Sequence, residues 1–539
     1  MLTVLAGLLM VFLARSDIPR TIPLLQWKPA ILFPISPALL IDDVSWYFAL
    51  ALVSLSFSVV IGSIAQLGQN TRLVTQPGKN IAQDIGPDLP SAASTPSERT
   101  TNIETGVIPN WSFWAVILIL TSVGLLAVTA GNLLTLLLAW TALDIIELVV
   151  LLGQVLDSKT RERVIVVFSA KIAGVVILLI AGLALWSHGE LLSFDSISQA
   201  TSLYLVLAAG LRLGVLPLQL PFTQGLPIRR GLGTALRLIP AASGYILLVR
   251  TASIGVIGVI TPLLLGITTM AGLFAAINWM FSKDELDGRP YWLLGTASLA
   301  IASAVLNHPS ACLAWSIACL LSGGFIFSMS IRHRNLLPLV ILGSINLSTL
   351  PFSPTWQGTS LYQYSSNSGV NITLFSVVSW IFLLIQSFLL AGFVRHSIRD
   401  LYPVDKNPSA HVERWVWFLY PFSLIIIILT QLFIGWRVYP NLSGLPLYGW
   451  IIGPVTLLIT STILYIAWRQ PQRSPLVNYS TNPSFWNNLF SLNWLYRFLW
   501  KLFRSISSLF GLVSTILEGD AGILWALVLF ALIFVFLQR

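Results

Sequence analysis

Along its whole length the chain alternates apolar runs of roughly 17–25 residues with short polar joints. A helix rising about 1.5 Å per residue needs about 20 such residues to cross roughly 30 Å of hydrocarbon. The pattern therefore predicts an all-α polytopic membrane protein with about fifteen spanning helices. The runs fall at 1–14, 46–67, 112–130, 131–153, 163–186, 200–220, 232–250, 254–281, 291–306, 309–330, 337–353, 370–396, 414–436, 447–468 and 519–537. The first has the length of a signal-peptide core, but no charge precedes it and no Ala-x-Ala-like site follows, which predicts a short, retained span.

Two stretches break the rhythm. Residues 68–110 are rich in Ser, Thr, Pro, Gln and Asn and have too little apolar content to fold alone, so a flexible loop is expected. Residues 469–518 interleave Trp486, Trp494, Phe498 and Trp500 with Arg497, Lys501 and Arg504, the composition of a helix lying in the membrane interface.

Composition sharpens this picture. The chain is 56% hydrophobic and 9% charged, against roughly 25% charged in an ordinary soluble domain. The net charge of +9 does not point to nucleic acid, because basic residues sit singly or in pairs between apolar runs. They act as topology signals for the bilayer instead. Lys159, Arg161 and Arg163, then Arg229 and Arg230, Lys283 and Arg289, Arg332 and Arg334, and Arg395 to Arg414 fall on one side when spans alternate. The opposite joints, around Gly189, Asn307 and Pro354 to Val370, carry no Lys or Arg, so the basic side is read as cytoplasmic. That places the amino terminus and the 68–110 loop inside and the carboxyl terminus outside; Arg15, Arg20 and Lys28 break the pattern. Cys312 and Cys319 share one apolar run without metal-ligand company and read as core residues. No Gly-rich phosphate loop or cysteine cluster appears, so no cofactor, metal or catalytic residue is expected.

Several segments resemble the antiporter-like membrane subunits shared by respiratory complex I, membrane-bound hydrogenases and multisubunit cation/proton antiporters. The strongest is Leu211-Arg-Leu-Gly-Val-Leu-Pro-Leu-Gln-Leu-Pro, followed by Thr234-Ala-Leu-Arg-Leu-Ile-Pro and a Gly, apolar run, Arg ending at Arg250. These are similar to the family's broken helix and the helix after it. Asn132 to Trp140 resembles the helix that carries its essential glutamate, and Leu40-Ile-Asp-Asp-Val-Ser-Trp an early span entry. Ser169-Ala-Lys-Ile, Gly189-Glu-Leu-Leu-Ser-Phe-Asp and Gly266 to Ala276 follow in order, so the resemblance covers most of residues 40–355.

The resemblance implies two inverted five-helix repeats, each with a broken helix: 111–250 and, in main part, 251–356. Residues 1–67 would then be amino-terminal spans, 357–468 further spans and 519–539 a final span. Pro217 and Pro221 in one run, and Pro351 and Pro354 in another, are independent signs of interrupted helices. A complex I-like or antiporter-like assembly of other membrane subunits is the implied partner, in a bacterial plasma membrane or an energy-transducing internal membrane.

Ionisable residues inside spans bear on mechanism, because each costs roughly 2.5 kcal/mol or more at a helix centre. Asp144 and Glu147 share one helical face; Lys171, Arg212 and Arg237 lie in the next three runs. Two acids and three bases in consecutive helices are expected to pair in a buried array.

Departures from the family pattern count as much as matches. Thr141 stands where its essential glutamate follows the Trp, Arg212 replaces its broken-helix lysine, and Gln219 its histidine. Leu236 and Ala242 replace a further histidine and lysine. In the second repeat Trp315 or Ser316 occupies the lysine position, and Ser353 to Gln357 contain no lysine. Arginine stays charged in essentially any protein setting, so it holds a charge without passing a proton. The expectation is a divergent antiporter-like subunit with proton translocation weakened or lost, at most a non-catalytic part of an NAD(P)H or ferredoxin:quinone oxidoreductase-like complex. One alternative is a working proton or cation transporter using Asp144 and Glu147. Another is a membrane enzyme for lipid-linked substrates, with Asp284, Glu285 and Asp287 as candidates, although these read as a solvated joint.

Overall fold

The computed structural model describes residues 2–24, 36–74, 111–155, 158–187, 192–194, 197–216, 230–256, 258–330, 334–364, 370–398, 414–438 and 448–469, with scattered residues between 501 and 530. The chain divides into two compact units, 1–473 and 474–539. In the second, the described residues at 501, 504–505, 508, 527–528 and 530 are helical.

The first unit is built of α1 (Leu2–Leu13), α2 (Asp43–Val74), α3 (Trp111–Val128), α4 (Leu133–Gln154), α5 (Ser158–Ser187), α6 (Gln199–Leu213) and α7 (Arg230–Ala252). It continues through α8 (Thr261–Phe281), α9 (Glu285–Val305), α10 (Pro309–Ser328), α11 (Leu337–Leu347), α12 (Ile372–Ile398), α13 (Arg414–Val438) and α14 (Gly449–Arg469). Among the described residues ten helices are long and apolar enough to cross a membrane: α2 to α5, α7, α8, α10 and α12 to α14. Burial sorts them. The apolar windows of α2, α7 and α10 are 94%, 94% and 89% buried, whereas that of α14 is 17% buried. The first three form the centre of the bundle, and α14 turns Trp450, Ile451, Leu458 and Trp468 outward, as suits a helix bordered by lipid tails.

Several expected spans change. The run 1–14 gives a 12-residue helix, about 18 Å long, too short to span. It ends in a 3-10 turn at Ala14–Asp17, where Arg15 pairs with Asp43. The following stretch is not a plain loop: β1 (Arg20–Pro23) pairs antiparallel with β2 (Ala38–Ile41). Leu40 then donates to Thr129 O (2.7 Å) and Gly131 to Ala38 O (2.8 Å), tying the hairpin to the α3–α4 joint. The second run continues beyond 67 to Val74. Instead of starting at 254, α8 starts at Thr261, with Pro262 in its first turn; Gly255, at φ 75°, turns the chain before it. In place of 291, α9 begins at Glu285, which is buried together with Arg289 one turn on. The remaining 75–110 part of the expected loop, most of the interfacial segment and most of the final span lie outside the described residues.

Both candidate breaks are earlier than the prolines that suggested them. α6 ends at Leu213, where Gly214 takes the left-handed conformation (φ 83°, ψ 12°) and donates to Gly210 O and Leu211 O. Val215 also donates to Gly210 O, at 2.8 Å. This hydrogen-bonded reversal terminates the helix on a glycine three residues before Pro217. Pro217, Gln219 and Pro221 lie outside the described residues. α11 stops at Leu347 rather than 353. Thr349 (φ 55°) and Phe352 (φ 67°) carry the chain through Pro351 and Pro354 into a buried 3-10 turn at Trp356–Tyr362. Such irregular backbone persists at membrane depth only inside protein. Here α13 makes room with a glycine: a Cβ on Gly435 would stand 2.5 Å from Pro354 Cα.

Candidate functional site

Four helices converge on a buried charged array. Asn132 caps α4 by accepting from Thr135 N, and from there Trp140, Asp144 and Glu147 run along one face, with rises of four and three residues. Their side chains enter the bundle: relative exposures are 0% for Trp140, 1% for Asp144 and 3% for Glu147. Lys171 of α5 and Arg212 of α6 are equally enclosed, at 5% and 4%. The close approach of α5 to α6 depends on Gly174, whose Cβ would meet Ala208 O at 3.2 Å.

Arg212 Nη1 donates to Asp144 Oδ2 at 2.9 Å, and its guanidinium lies over the Trp140 ring, 4.7 Å from the centroid. Lys171 Nζ donates to Glu147 Oε2. Arg212 also stands in the last turn of α6, where the carbonyl end of a helix favours positive charge. Arg237 of α7, less enclosed, lies within electrostatic range of Glu147 and of Asp287 of α9. All five charged residues singled out from the sequence thus lie in one connected region. Two cations and two carboxylates neutralise one another pairwise, which offsets part of the cost of burying them.

The sequence reading of Asp284, Glu285 and Asp287 as a solvated joint is corrected. Glu285 is 1% exposed, and Arg230 Nη1 donates to its Oε1 at 2.7 Å and to Met329 O at 2.8 Å. Arg289, 3% exposed, donates to Arg230 O at 3.3 Å. Sequence distance hid this: Arg230 begins a different helix. Only Asp287 and Lys283 are exposed in this turn.

The second half has a different chemistry. Around the α11 break, Tyr362 Oη donates to Gln386 Oε1 at 2.6 Å, and Gln386 Nε2 donates to Thr349 Oγ1 at 2.7 Å. Thr355 Oγ1 donates to Asn346 O at 2.8 Å and accepts from Thr349 N at 3.1 Å. Nearby, Ser322 and Gln431 are bonded to one another. Trp315 and Ser316, at the resemblance's lysine position, are buried. Amides and hydroxyls thus stand at this break, joined by the phenol of Tyr362. The sequence flagged the break through Pro351 and Pro354 and missed Gln386, because a lone Gln in an apolar run carries no signal until its partners are known. Among the described residues, no cluster of three or more His, Cys, Asp or Glu could hold a metal ion, and both cysteines are buried free thiols.

No family model and no curated protein sequence matches the chain. Solved structures do. A chain of the Mrp complex from a Dietzia species matches with a TM-score of 0.66 and 12% identity, over 99% of this chain and 59% of that one. A chain of the membrane-bound sulfane sulfur reductase, an archaeal respiratory membrane complex, matches at 0.61 and 13%, over 98% and 93%. A chain of respiratory complex I from Thermus thermophilus matches at 0.51 and 14%, over 82% and 91%. The protein is a multi-pass membrane protein with the fold found in membrane chains of these three multisubunit complexes, and it spans about three fifths of the length of the Mrp-complex chain.

Proposed function

We propose that the chain is a divergent antiporter-like membrane subunit of a complex I-like or cation/proton antiporter complex, in which proton translocation is weakened or lost. The observation that carries this reading is the Arg212–Asp144 pair. A relay group must load and release a proton near neutral pH, and arginine does not release one. Clamped on Asp144 and over Trp140, Arg212 is an electrostatic anchor. The neutral network around Gln386 supports the same reading for the second half, because amides and hydroxyls donate and accept without changing charge near neutrality. Residues 111–250 and 251–356 are read as inverted repeats, with the charged array serving assembly and electrostatic coupling to neighbouring subunits in an energy-transducing membrane.

A second reading has one observation in its favour. Lys171 and Glu147 are both titratable and directly bonded, so this pair retains a transferable proton even with Arg212 fixed.

The test is proton flux in proteoliposomes holding the chain with its co-purifying partners. Arg212→Lys should raise a pH-driven flux above that of the native protein, because burial can bring a lysine toward neutrality. Arg212→Ala should instead lower assembled yield, since stranding one member of a buried pair costs about 3–5 kcal/mol. Robust native flux that survives Arg212→Ala would sink the reading.

A further inference from the structure

We propose that the end of the bundle where α7 and α9 begin and α10 ends binds an oxyanion of the phosphate class, held by Arg289, Arg230, Ser328 and Ser330. This goes beyond the subunit reading and does not rest on it, since no proton need move. Arg289 is the starting point. Its side chain is enclosed, and among the described residues its one hydrogen bond runs from Nη2 to Arg230 O, at 3.3 Å. The guanidinium carbon lies 5.6 Å from the centroid of the Phe327 ring, and Nε has no hydrogen-bond partner. Other buried cations are matched directly: Arg212 by Asp144 at 2.9 Å, Lys171 by Glu147, and Arg230 by Glu285 at 2.7 Å. Arg289 has Glu285 and Asp284 within electrostatic range but forms no ion pair among the described residues. A buried guanidinium with no anion in contact carries a large desolvation penalty.

The polar atoms beside it lack acceptors in the same way. Ser328 is buried and Ser330 half-buried, and both hydroxyl oxygens are enclosed without a partner. The two serines flank Met329, whose carbonyl accepts from Arg230 Nη1 at 2.8 Å, and Phe327, under Arg289, precedes Ser328. The end of α10 is thereby fixed against both arginines. Arg230 uses Nη1 for its bonds to Glu285 and Met329, which leaves Nε and Nη2 for a further acceptor. Its side chain, 19% exposed, gives the site access to solvent.

The chemistry of this set selects the ligand. Arginine nitrogens only donate and a serine hydroxyl can donate, so several donors from three helix ends need acceptors. An oxyanion satisfies them together and supplies the missing negative charge. Water brings no charge, and a cation would add to the repulsion. α7 and α9, of 23 and 21 residues, also begin here, and the amino-terminal ends of helices favour anions. The acids of the turn do not cancel this. Glu285 is neutralised by Arg230, exposed Asp287 and Lys283 offset one another, and Arg289 and Arg237 together outweigh Asp284. Two sources offer this chemistry: dissolved phosphate, and the phosphate of an anionic lipid headgroup.

The experiment follows thermal melting of the full-length protein by tryptophan fluorescence in nanodiscs of phosphatidylcholine, with inorganic phosphate titrated against chloride at matched ionic strength. Phosphate, and not chloride, should raise the midpoint saturably. Nanodiscs containing phosphatidylglycerol separate the two sources. A midpoint already raised there without phosphate, and no longer responsive to it, assigns the site to a headgroup. In either case the double variant Ser328→Ala/Ser330→Ala should lose most of the rise, with apparent phosphate affinity weakened about tenfold or more. Lys283→Gln, which removes an exposed cation from the same turn, should leave that affinity within about twofold. Arg289→Gln should abolish the response; if that variant fails to fold, the serine variant decides. No rise in either bilayer, a rise undiminished in the serine variant, or one lost equally in Lys283→Gln overturns the proposal.

Discussion

At the scale of single residues, the array shows how charge survives in a low-dielectric interior. Arg212 combines an ion pair, an aromatic face and the carbonyl end of its own helix. Removing any one leaves the others, whereas removing Arg212 leaves Asp144 alone at 1% exposure. Replacing Lys171 with Met should be tolerated only together with Glu147→Gln. The double variant removes both charges, so its assembled yield in detergent should exceed that of either single variant. Asp284 behaves in the opposite sense. Its carboxyl rises from 3.8 to about 6, so the fold prefers it protonated. Its contribution to stability is full below pH 3.8 and is lost as pH climbs through about 6. Asp284→Asn should therefore raise the thermal midpoint at neutral pH and flatten its decline over that window, measured by melting in nanodiscs.

At the scale of elements, the helices were legible and their ends were not. Apolar runs announce α2 to α5, α7, α8, α10 and α12 to α14, because a span needs about twenty apolar residues whatever its neighbours. The shared face of Trp140, Asp144 and Glu147 was equally legible, since it follows from helical spacing alone. Termini depend on tertiary partners. The start of α9 at Glu285 is stabilised by Arg230, 55 residues earlier in sequence, and nothing in the run itself reveals it. Four-residue strands at Arg20–Pro23 and Ala38–Ile41 are too short to show a period of two. Pro217 and Pro221 suggest a later end to α6, whereas Gly214 makes the turn. Gly214→Ala forces a side chain into the left-handed region at a cost of roughly 1–2 kcal/mol. It should lower the melting temperature, while Ala substitution at Gly153, where an added Cβ meets nothing within 4 Å, should change it little.

At the scale of the whole molecule, the described residues around the α6 break are ion-paired, whereas those around the α11 break are joined by neutral hydrogen bonds. If the halves are inverted repeats, α3 to α7 should superpose on α8 to α12 after inversion, with the Gly214 reversal and the Thr349 turn at similar depth; an experimental structure without that pseudo-symmetry would remove the repeat reading. The ion pairs also constrain how the chain is made. Glu147 meets Lys171 24 residues later in synthesis, and Asp144 meets Arg212 only after 68. A nascent α4 therefore offers the bilayer two bare carboxylates, each costing roughly 2.5 kcal/mol or more. Those two carboxylates offset much of the apolar gain of α4, so the helix is expected to enter lipid less readily alone than together with α5 and α6. Nascent chains halted before α6 should remain crosslinkable to the insertion machinery through α4, and chains extended past Arg212 should be released.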